Sequence, residues 1–507
     1  MINLYKPTVG PLLGYREYSD VSALQRVLVR GSKTRARQTC YFFVKKIDGE
    51  FIKIPPKILR GKDHDYTVML DLKNLPLDTK FEYKVTIAKG RKKPPEYDLL
   101  KAKDCYRGVF ETRNRNDSIT SFVFGSCCHF SLVGVNQADD AAFKTMRNQW
   151  ENGSAQDDFM LMLGDQIYGD HGDGRNVLSK IPGFRVGMLF VPVLLKRLIN
   201  FKHYLNHYYK AFRKKDKRKV MATIPTYMMF DDHEVHNEWG SNNFLNEPED
   251  YRILKDALRA YNIYQVSHPS IQVPTVPLPT SAQIEEGVKL PEAKYYYEYC
   301  HGKSGFFVLD TRFNKIPLNE KGSNKSKVRM ISTIQMNALK KFLRSGNTSV
   351  KFIATGVPIA PDSKENDLCL TKIFDNSPED RWEGFTTQRK EILDFINEEN
   401  IKNVVFLSGD VHASYAFDIY ENQNKRVIAR QLTSSAFNWG VGLTDCNFGK
   451  YEPLKGANGM YRLLNRTGAF VTKDNFCRVV VKTNEAKVNF YHAKNGKSLR
   501  EFSFPLE

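Results

Sequence analysis

Val404-Val405-Phe406-Leu407-Ser408-Gly409-Asp410-Val411-His412-Ala413-Ser414 opens with four apolar residues, breaks at Ser-Gly, and then presents a carboxylate and an imidazole two residues apart. A short continuous apolar run has the length and type of a strand buried on both faces of a parallel sheet. In open α/β sheets ligands bind just outside the carboxyl ends of the strands. Asp410 and His412 follow such an end, where both can reach into a crevice.

The same pattern recurs earlier in the chain. Ser121–Phe124 ends in Gly125-Ser126-Cys127-Cys128-His129, and Phe159–Leu163 ends in Gly164-Asp165-Gln166-Ile167-Tyr168-Gly169-Asp170. Tyr227–Phe230 ends in Asp231-Asp232-His233-Glu234-Val235-His236-Asn237, and Lys351–Ala354 precedes Thr355-Gly356. Helical patterns at 137–151, 251–266, 333–343 and 388–399 separate these strands. Alternation of strands and helices predicts an α/β domain. Hairpin-like strands over 295–310 and 477–502 make its sheets mixed. Residues 1–116 read differently: 38–47, 66–72, 80–88 and 108–112 are strand-like and flanked by turn signals, the rhythm of a small β-sandwich. The expected organisation is an N-terminal β-sandwich over 1–116 and a catalytic domain over 117–507.

The polar sets at the strand ends carry the chemistry: Cys127; Asp165 with Tyr168; Asp232 with His233 and Asn237; Asp410 with His412. Thiolate, phenolate, carboxylate, imidazole and amide oxygen suit metal ions of differing softness. A carboxylate such as Asp165 can bridge two ions, and a bridged pair about 3.5–4 Å apart polarises a phosphoryl group and acidifies water. A phenolate at Tyr168 and a thiolate at Cys127 favour a ferric ion over zinc or magnesium.

With 507 residues the chain exceeds one ordinary core. Apolar residues at 41% and charged residues at 26% are ordinary for a globular protein. The net charge of +19 fits an anionic substrate, an anionic surface, or solubility alone. Met1–Arg16 has no basic segment followed by an apolar one, so no signal peptide is read there, and the longest apolar run, about 186–195, is too short to span a bilayer. A cytoplasmic or membrane-peripheral location is expected. The eight cysteines are scattered without a CxxC, which predicts reduced thiols.

GSCC, GDQIYGD, DDHEVHN and SGDVHAS, in that order, resemble the PhoD-like alkaline phosphatases of the wider metallophosphoesterase superfamily. Asp310-Thr311-Arg312 and Arg381-Trp382-Glu383-Gly384-Phe385 with Gln388-Arg389 support the likeness. The resemblance implies a four-layer α/β/β/α core, two sheets flanked by helices, with metals at the strand ends. Cys127, Asp165 and Tyr168 look like the ferric side. Asp232, Asn237, Asp410 and His412 look like the remaining ligands, shared with calcium or another divalent ion, and the division between the ions stays open. His233 corresponds to a histidine that meets the substrate or its leaving group, with Asp232 beside it. Arg389 looks like a substrate or structural arginine. The implied activity is a phosphatase or phosphodiesterase acting on phosphate esters by in-line attack of a metal-bound hydroxide.

One stretch falls outside that likeness. An apolar run from Phe184 leads into a basic segment, 196–219, that ends in Arg213-Lys214-Lys215-Asp216-Lys217-Arg218-Lys219. It reads either as a solvated helix face or as a basic rim that attracts a polyanionic substrate or an anionic membrane surface. No recognised nucleic-acid-binding module supports a nucleic-acid partner. The rival function is a non-catalytic anion- or membrane-binding module that uses this segment.

Overall fold

The computed structural model describes residues 3–113, 119–129, 140–169, 200–236, 239–240, 248–266, 294–317, 328–362, 380–439 and 451–507. Two sheets make the region that follows the N-terminal strands. The first runs in the order Thr226–Met229, Phe159–Leu163, Thr120–Cys128, Asn475–Val481, Glu485–His492, Ser498–Pro505, with Ser435–Asn438 also pairing the third strand. The second runs Tyr297–His301, Ser304–Val308, Val350–Ala354, Val404–Ser408, Arg426–Thr433, Tyr415–Glu421, Tyr461–Asn465, Tyr451–Pro453. Val404–Ser408 pairs in parallel on both sides, with Val350–Ala354 and with Arg426–Thr433. That central position explains its unbroken apolar run.

Alternate residues of these strands feed different cores. Phe122, Phe124, Phe159, Leu161 and Leu163 point inward and meet Phe306, Phe352, Val405 and Leu407 of the facing sheet. Each such side chain contributes about 1.5–3 kcal/mol on burial. The opposite faces are covered by helices. Ala141–Glu151, Phe201–Phe212 and Pro248–Tyr261 pack on Val123, Met160 and Met162. Thr333–Arg344 and Thr386–Glu398 pack on Ile353, Val404 and Phe406. The result is the four-layer α/β/β/α arrangement. All four parallel strands named in the sequence carry their polar sets at the same, carboxyl end.

The N-terminal strands form a five-stranded sheet and a three-stranded sheet around Leu13, Val27, Phe42, Leu70, Phe81 and Val85. Four of them, Asn3–Tyr5, Val9–Tyr18, Ser22–Arg30 and Ile52–Ile58, were not read from the sequence. Val9–Tyr18 carries Gly10-Pro11 just inside its start and is twice interrupted in register, which hides its period-two pattern.

This region is tied to the two larger sheets through the short helix Lys215–Met221. Arg218 donates to the carbonyls of Gly10 and Pro7 (2.7 and 2.9 Å), and Tyr83 donates to Ala222 O at 2.6 Å. Lys217 is fully buried, its ammonium over the rings of Phe143 and Phe212. Part of the basic cluster is therefore interior, which corrects its reading as a solvated face. Arg213, Lys215 and Lys219 remain exposed. Residues 184–199 of that stretch lie outside the described residues. Among the described residues no helix is long and apolar enough to cross a membrane.

Candidate metal centre

Each strand end turns sharply, and the turn aims a side chain. Cys127, Asp165, Asp410 and His412 all have positive φ, at 54°, 55°, 69° and 52°. Non-glycine residues in that region are uncommon and cost about 1 kcal/mol or more each. Four together where strand ends of the two sheets meet mark a site that the surrounding fold holds against strain. Gly164, at φ +94°, lets the Asp165 turn close over the next strand: a Cβ there would lie 2.4 Å from Asp231 Cβ. Gly356 gives similar clearance, since a Cβ would stand 2.7 Å from Asp231 Oδ1.

The donors converge. Cys127 Sγ donates to Asp165 Oδ2 at 3.3 Å, and the Tyr168 hydroxyl donates to the same oxygen at 3.5 Å. Ligand atoms of Asp165, Asp231, Asp232 and Asp410 lie within 4.8 Å of one another, as do those of Asp165, Asp232 and His233. The His233 backbone N–H donates to Asp165 Oδ1 at 3.4 Å, and its ring lies 4.3 Å from that of Tyr168. His412 donates its backbone N–H to Ser435 Oγ at 3.1 Å and stacks on Trp439 with ring centroids 3.7 Å apart. Its Nε2 is buried with no hydrogen-bond partner among the described residues. Cys127 Sγ is also within 3.2 Å of the Ser126 and Ser435 hydroxyls.

Electrostatics agree with the geometry. Burial first, and the neighbouring carboxylates after it, hold Asp410 well above the usual carboxylate range. Burial likewise holds Asp165 high, opposed by His233 and reinforced by Asp232 and Asp231. Asp231 is pushed up to about 7 by burial, against the pull of Arg312. Burial, then Asp165 and Asp410, push the Cys127 thiol up, and burial raises the Tyr168 phenol. His412 is lowered to about 3 by burial and by His233 and His129. Protein charge alone leaves this set protonated or neutral. A bound cation reverses the preference of every oxygen and sulfur donor in it. The orphaned His412 Nε2, the crowded carboxylates and the thiol–phenol–carboxylate convergence all fit metal ions.

The structure thus brings together Cys127, Asp165, Tyr168, Asp232, His233 and Asp410, with His412 on the same rim. Asn237 lies outside the described residues. Arg389 is buried on the helix Thr386–Glu398, where it donates to Asp362 Oδ2 (3.1 Å), Ile359 O (3.1 Å) and Lys455 O (2.8 Å). None of these contacts is with the cluster, so its geometry is that of the structural arginine.

Several contributors were not chosen from the sequence. Asp231, beside the selected Asp232, belongs to the carboxylate group. Arg312 is fully buried and bonds Asp231 Oδ1 and Asp380, with Asp232 Oδ1 3.8 Å away. Its motif, Asp-Thr-Arg after a strand, was noted without a role. Glu234 closes the back of the site, accepting backbone N–H groups from Asp165 (3.0 Å), Gln166 (2.7 Å) and Asp231 (2.8 Å). A carboxylate three positions after the first aspartate of Asp-Asp-His-Glu was the available signal. A separate cavity of about 840 Å³, lined by Tyr83, Tyr106, Trp150 and Asp158 among others, lies at the amino ends of the same strands and holds none of these donors.

A two-sheet core with acidic, thiol and phenol donors at its strand ends defines a metallophosphoesterase-like protein. The model of the PhoD-like phosphatase family matches residues 122–490, and the chain belongs to that family. Alkaline phosphatase D of Bacillus subtilis (strain 168) is 25% identical over 300 residues, covering 56% of this chain and 46% of the relative, so the match spans a little under half of that protein's length. The solved structure of PhoD superposes with a TM-score of 0.67 at 17% identity, covering 99% of this chain and 91% of the other. The purple acid phosphatase PPD1 from yellow lupin (Lupinus luteus) seeds gives 0.58 at 11% identity, with 98% and 74% covered. At these identities the two structures speak for the fold.

Proposed function

We propose that this protein is a phosphatase or phosphodiesterase that hydrolyses phosphate esters at the centre built around Asp165. The observation that carries the reading is the convergence of Cys127 Sγ and Tyr168 OH on Asp165 Oδ2, with Asp231, Asp232 and Asp410 within 4.8 Å. Cys127, Asp165 and Tyr168 would hold a ferric ion. Asp232, Asp410 and His412 would hold calcium or another divalent ion, with Asp165 reaching both. Such ions supply positive charge for phosphoryl oxygens and lower the pKa of bound water.

The chain's own residues do the rest. The buried carboxylates fix the cations, and the positive-φ turns fix the carboxylates. Water attacks phosphorus in line with the ester bond. His233, beside Asp165 and Asp232, carries a proton on its ring and gives it to the departing oxygen as the P–O bond breaks. The aromatic rings of Tyr168, His129 and Trp439 border this space, with His129 and Tyr168 4.6 Å apart.

The test pairs metal analysis with turnover of p-nitrophenyl phosphate and bis-p-nitrophenyl phosphate. Asp165→Asn and Asp410→Asn are expected to lower kcat by orders of magnitude and to lower metal content, since coordination draws on the carboxylate charge. Either variant retaining full metal and near-normal turnover removes that residue from the centre. A wild type with neither metal nor turnover returns the chain to a non-catalytic role.

A further inference from the structure

The Asp165 loop is held from behind by a buried polar relay that begins in the N-terminal sandwich. Glu234 is 1% exposed, and both of its oxygens are engaged. Oε2 accepts from Asp165 N and Asp231 N, and Oε1 accepts from Gln166 N and from Gln265 Nε2 at 2.8 Å. Gln265 sits in a π-helical turn, Asn262–Val266, that follows the helix Pro248–Tyr261. Such turns interrupt regular helices where a side chain must be re-aimed, often at functional sites. The same Gln265 nitrogen donates to the Tyr208 hydroxyl at 3.0 Å. The Tyr208 ring stacks on Tyr264, with centroids 4.9 Å apart and planes 9° apart.

Tyr264 then leaves the catalytic region: its hydroxyl donates to Asp65 Oδ2 at 2.6 Å. Asp65 has φ 47° and is clasped by Arg30, Nε to Oδ2 and NH2 to Oδ1, both at 2.8 Å. Arg30 and Asp65 are each buried. A bidentate arginine–carboxylate pair is rigid and directional. Every member from Arg30 to Glu234 is an interior group, joined to the next by a hydrogen bond except at Tyr208 and Tyr264, which meet by ring stacking.

We propose that Glu234 is the positioning residue of the Asp165 and Asp231 loops, and that Asp65 of the N-terminal sandwich sets its orientation through Tyr264, Tyr208 and Gln265. The sandwich then acts on the centre without contributing a donor to it. The proposal rests on the reading of the cluster as a metal centre. Partners that orient metal ligands from outside typically change affinity by about 10- to 100-fold when removed.

The test uses the full chain, stripped of metal, with Zn²⁺ as the probe and a competing chromogenic chelator as the readout. Gln265→Met is expected to weaken Zn²⁺ affinity by about 10-fold or more. Tyr264→Phe, which deletes only the hydroxyl that meets Asp65, is expected to weaken it by about 3-fold. The double variant is expected to be no weaker than Gln265→Met, because both lie on one path. With p-nitrophenyl phosphate, kcat should fall while KM stays unchanged. The thermal midpoint of the metal-free variants, measured alongside, separates loss of fold from loss of position. Variants whose Zn²⁺ affinity equals the wild type's, whatever their stability, overturn the proposal. So does a double variant whose loss is the product of the single losses. A wild type that takes up no Zn²⁺ overturns this proposal together with the metal-centre reading, whereas a wild type that binds while the variants bind equally overturns this one alone.

Discussion

Replacing Arg312 with glutamine withdraws a guanidinium from a fully buried acidic network. Arg312 has no exposed side-chain surface; it bonds Asp231 and Asp380 and approaches Asp232 to 3.8 Å. Two unit charges about 4 Å apart interact by about 4 kcal/mol at an effective dielectric of 20. Asp380 keeps one partner, since Lys315 Nζ donates to its Oδ1 at 2.8 Å. Among the described residues Asp231 has no second cation: its Oδ2 has no hydrogen-bond partner there, and it sits among Asp165, Asp232 and Asp410. Removing one member of a buried pair costs about 3–5 kcal/mol, because the other charge stays behind. Arg312→Gln is therefore expected to lose about 3–5 kcal/mol in urea unfolding at pH 7. Adding Asp231→Asn removes the stranded charge and should recover a substantial part of that loss. A loss under about 1 kcal/mol, or a double variant no more stable than the single, refutes the account of Arg312 as the counter-charge of this cluster.

Three further outcomes are expected. A ferric ion held by Cys127 and Tyr168 gives the protein a visible phenolate-to-iron band, and Tyr168→Phe should shift or abolish that band while the fold persists; a colourless wild type with full turnover excludes the assignment. His301 is buried and lowered to about 3 by burial and by Arg16 and Arg113, so it stays neutral when folded but takes up a proton below pH 6.5 when unfolded. Its stabilising effect is thus present above pH 6.5 and is lost as pH falls toward 3, while Asp158 and Asp310, both raised to about 6, act the opposite way between pH 3.8 and 6. Relative to His301→Phe, the wild type should lose about 3 kcal/mol between pH 7 and pH 4, and parallel pH profiles would show that the imidazole is not what titrates. On the helix Lys215–Met221, Lys217→Glu should cost about 3 kcal/mol or more, whereas Lys215→Glu and Lys219→Glu should each stay within about 0.5 kcal/mol; equal urea midpoints for all three contradict the inward placement of Lys217.

What the sequence made legible was local. Five largely apolar runs, each four or five residues long and stopped by Gly, Ser, Asp or Thr, announced buried strands because both faces of those strands are covered and no polar alternation interrupts them. The donors at their ends were legible because chemistry of that kind has no use inside a β-ladder. The positive-φ turns that aim Cys127, Asp165, Asp410 and His412 were not: Asp and His visit that region more often than most residues, but a single Asp, His or Cys does not announce it. Nor were the long-range partners. Arg312 meets Asp231 across 81 positions, and Tyr264 meets Asp65 across 199. Pairings of that separation leave no periodic trace in a single chain.

The basic segment illustrates the difference between a charge count and a charge direction. Six cations in a seven-residue window suggest one surface, but on a helix residues one and two apart face different ways. Lys217 shares its face with Val220 and Met221, at i+3 and i+4, and both of those are buried. That spacing was available in the sequence and argues for an inward lysine. Its long apolar stem crosses Phe143 and Phe212, and its ammonium reaches Gln166 Oε1 at 3.4 Å, one residue from Asp165. Arg218 turns toward the sandwich instead, its guanidinium 4.7 Å over the Tyr106 ring. Two of the six charges are thus spent on holding the sandwich, the helix and the back of the metal loop together. Any electrostatic attraction of a polyanionic substrate from the described part of this segment must come from Arg213, Lys214, Lys215 and Lys219. Salt should weaken it over a screening length of about 8 Å at physiological ionic strength, while the contacts of Lys217 and Arg218, shielded from solvent ions, should persist.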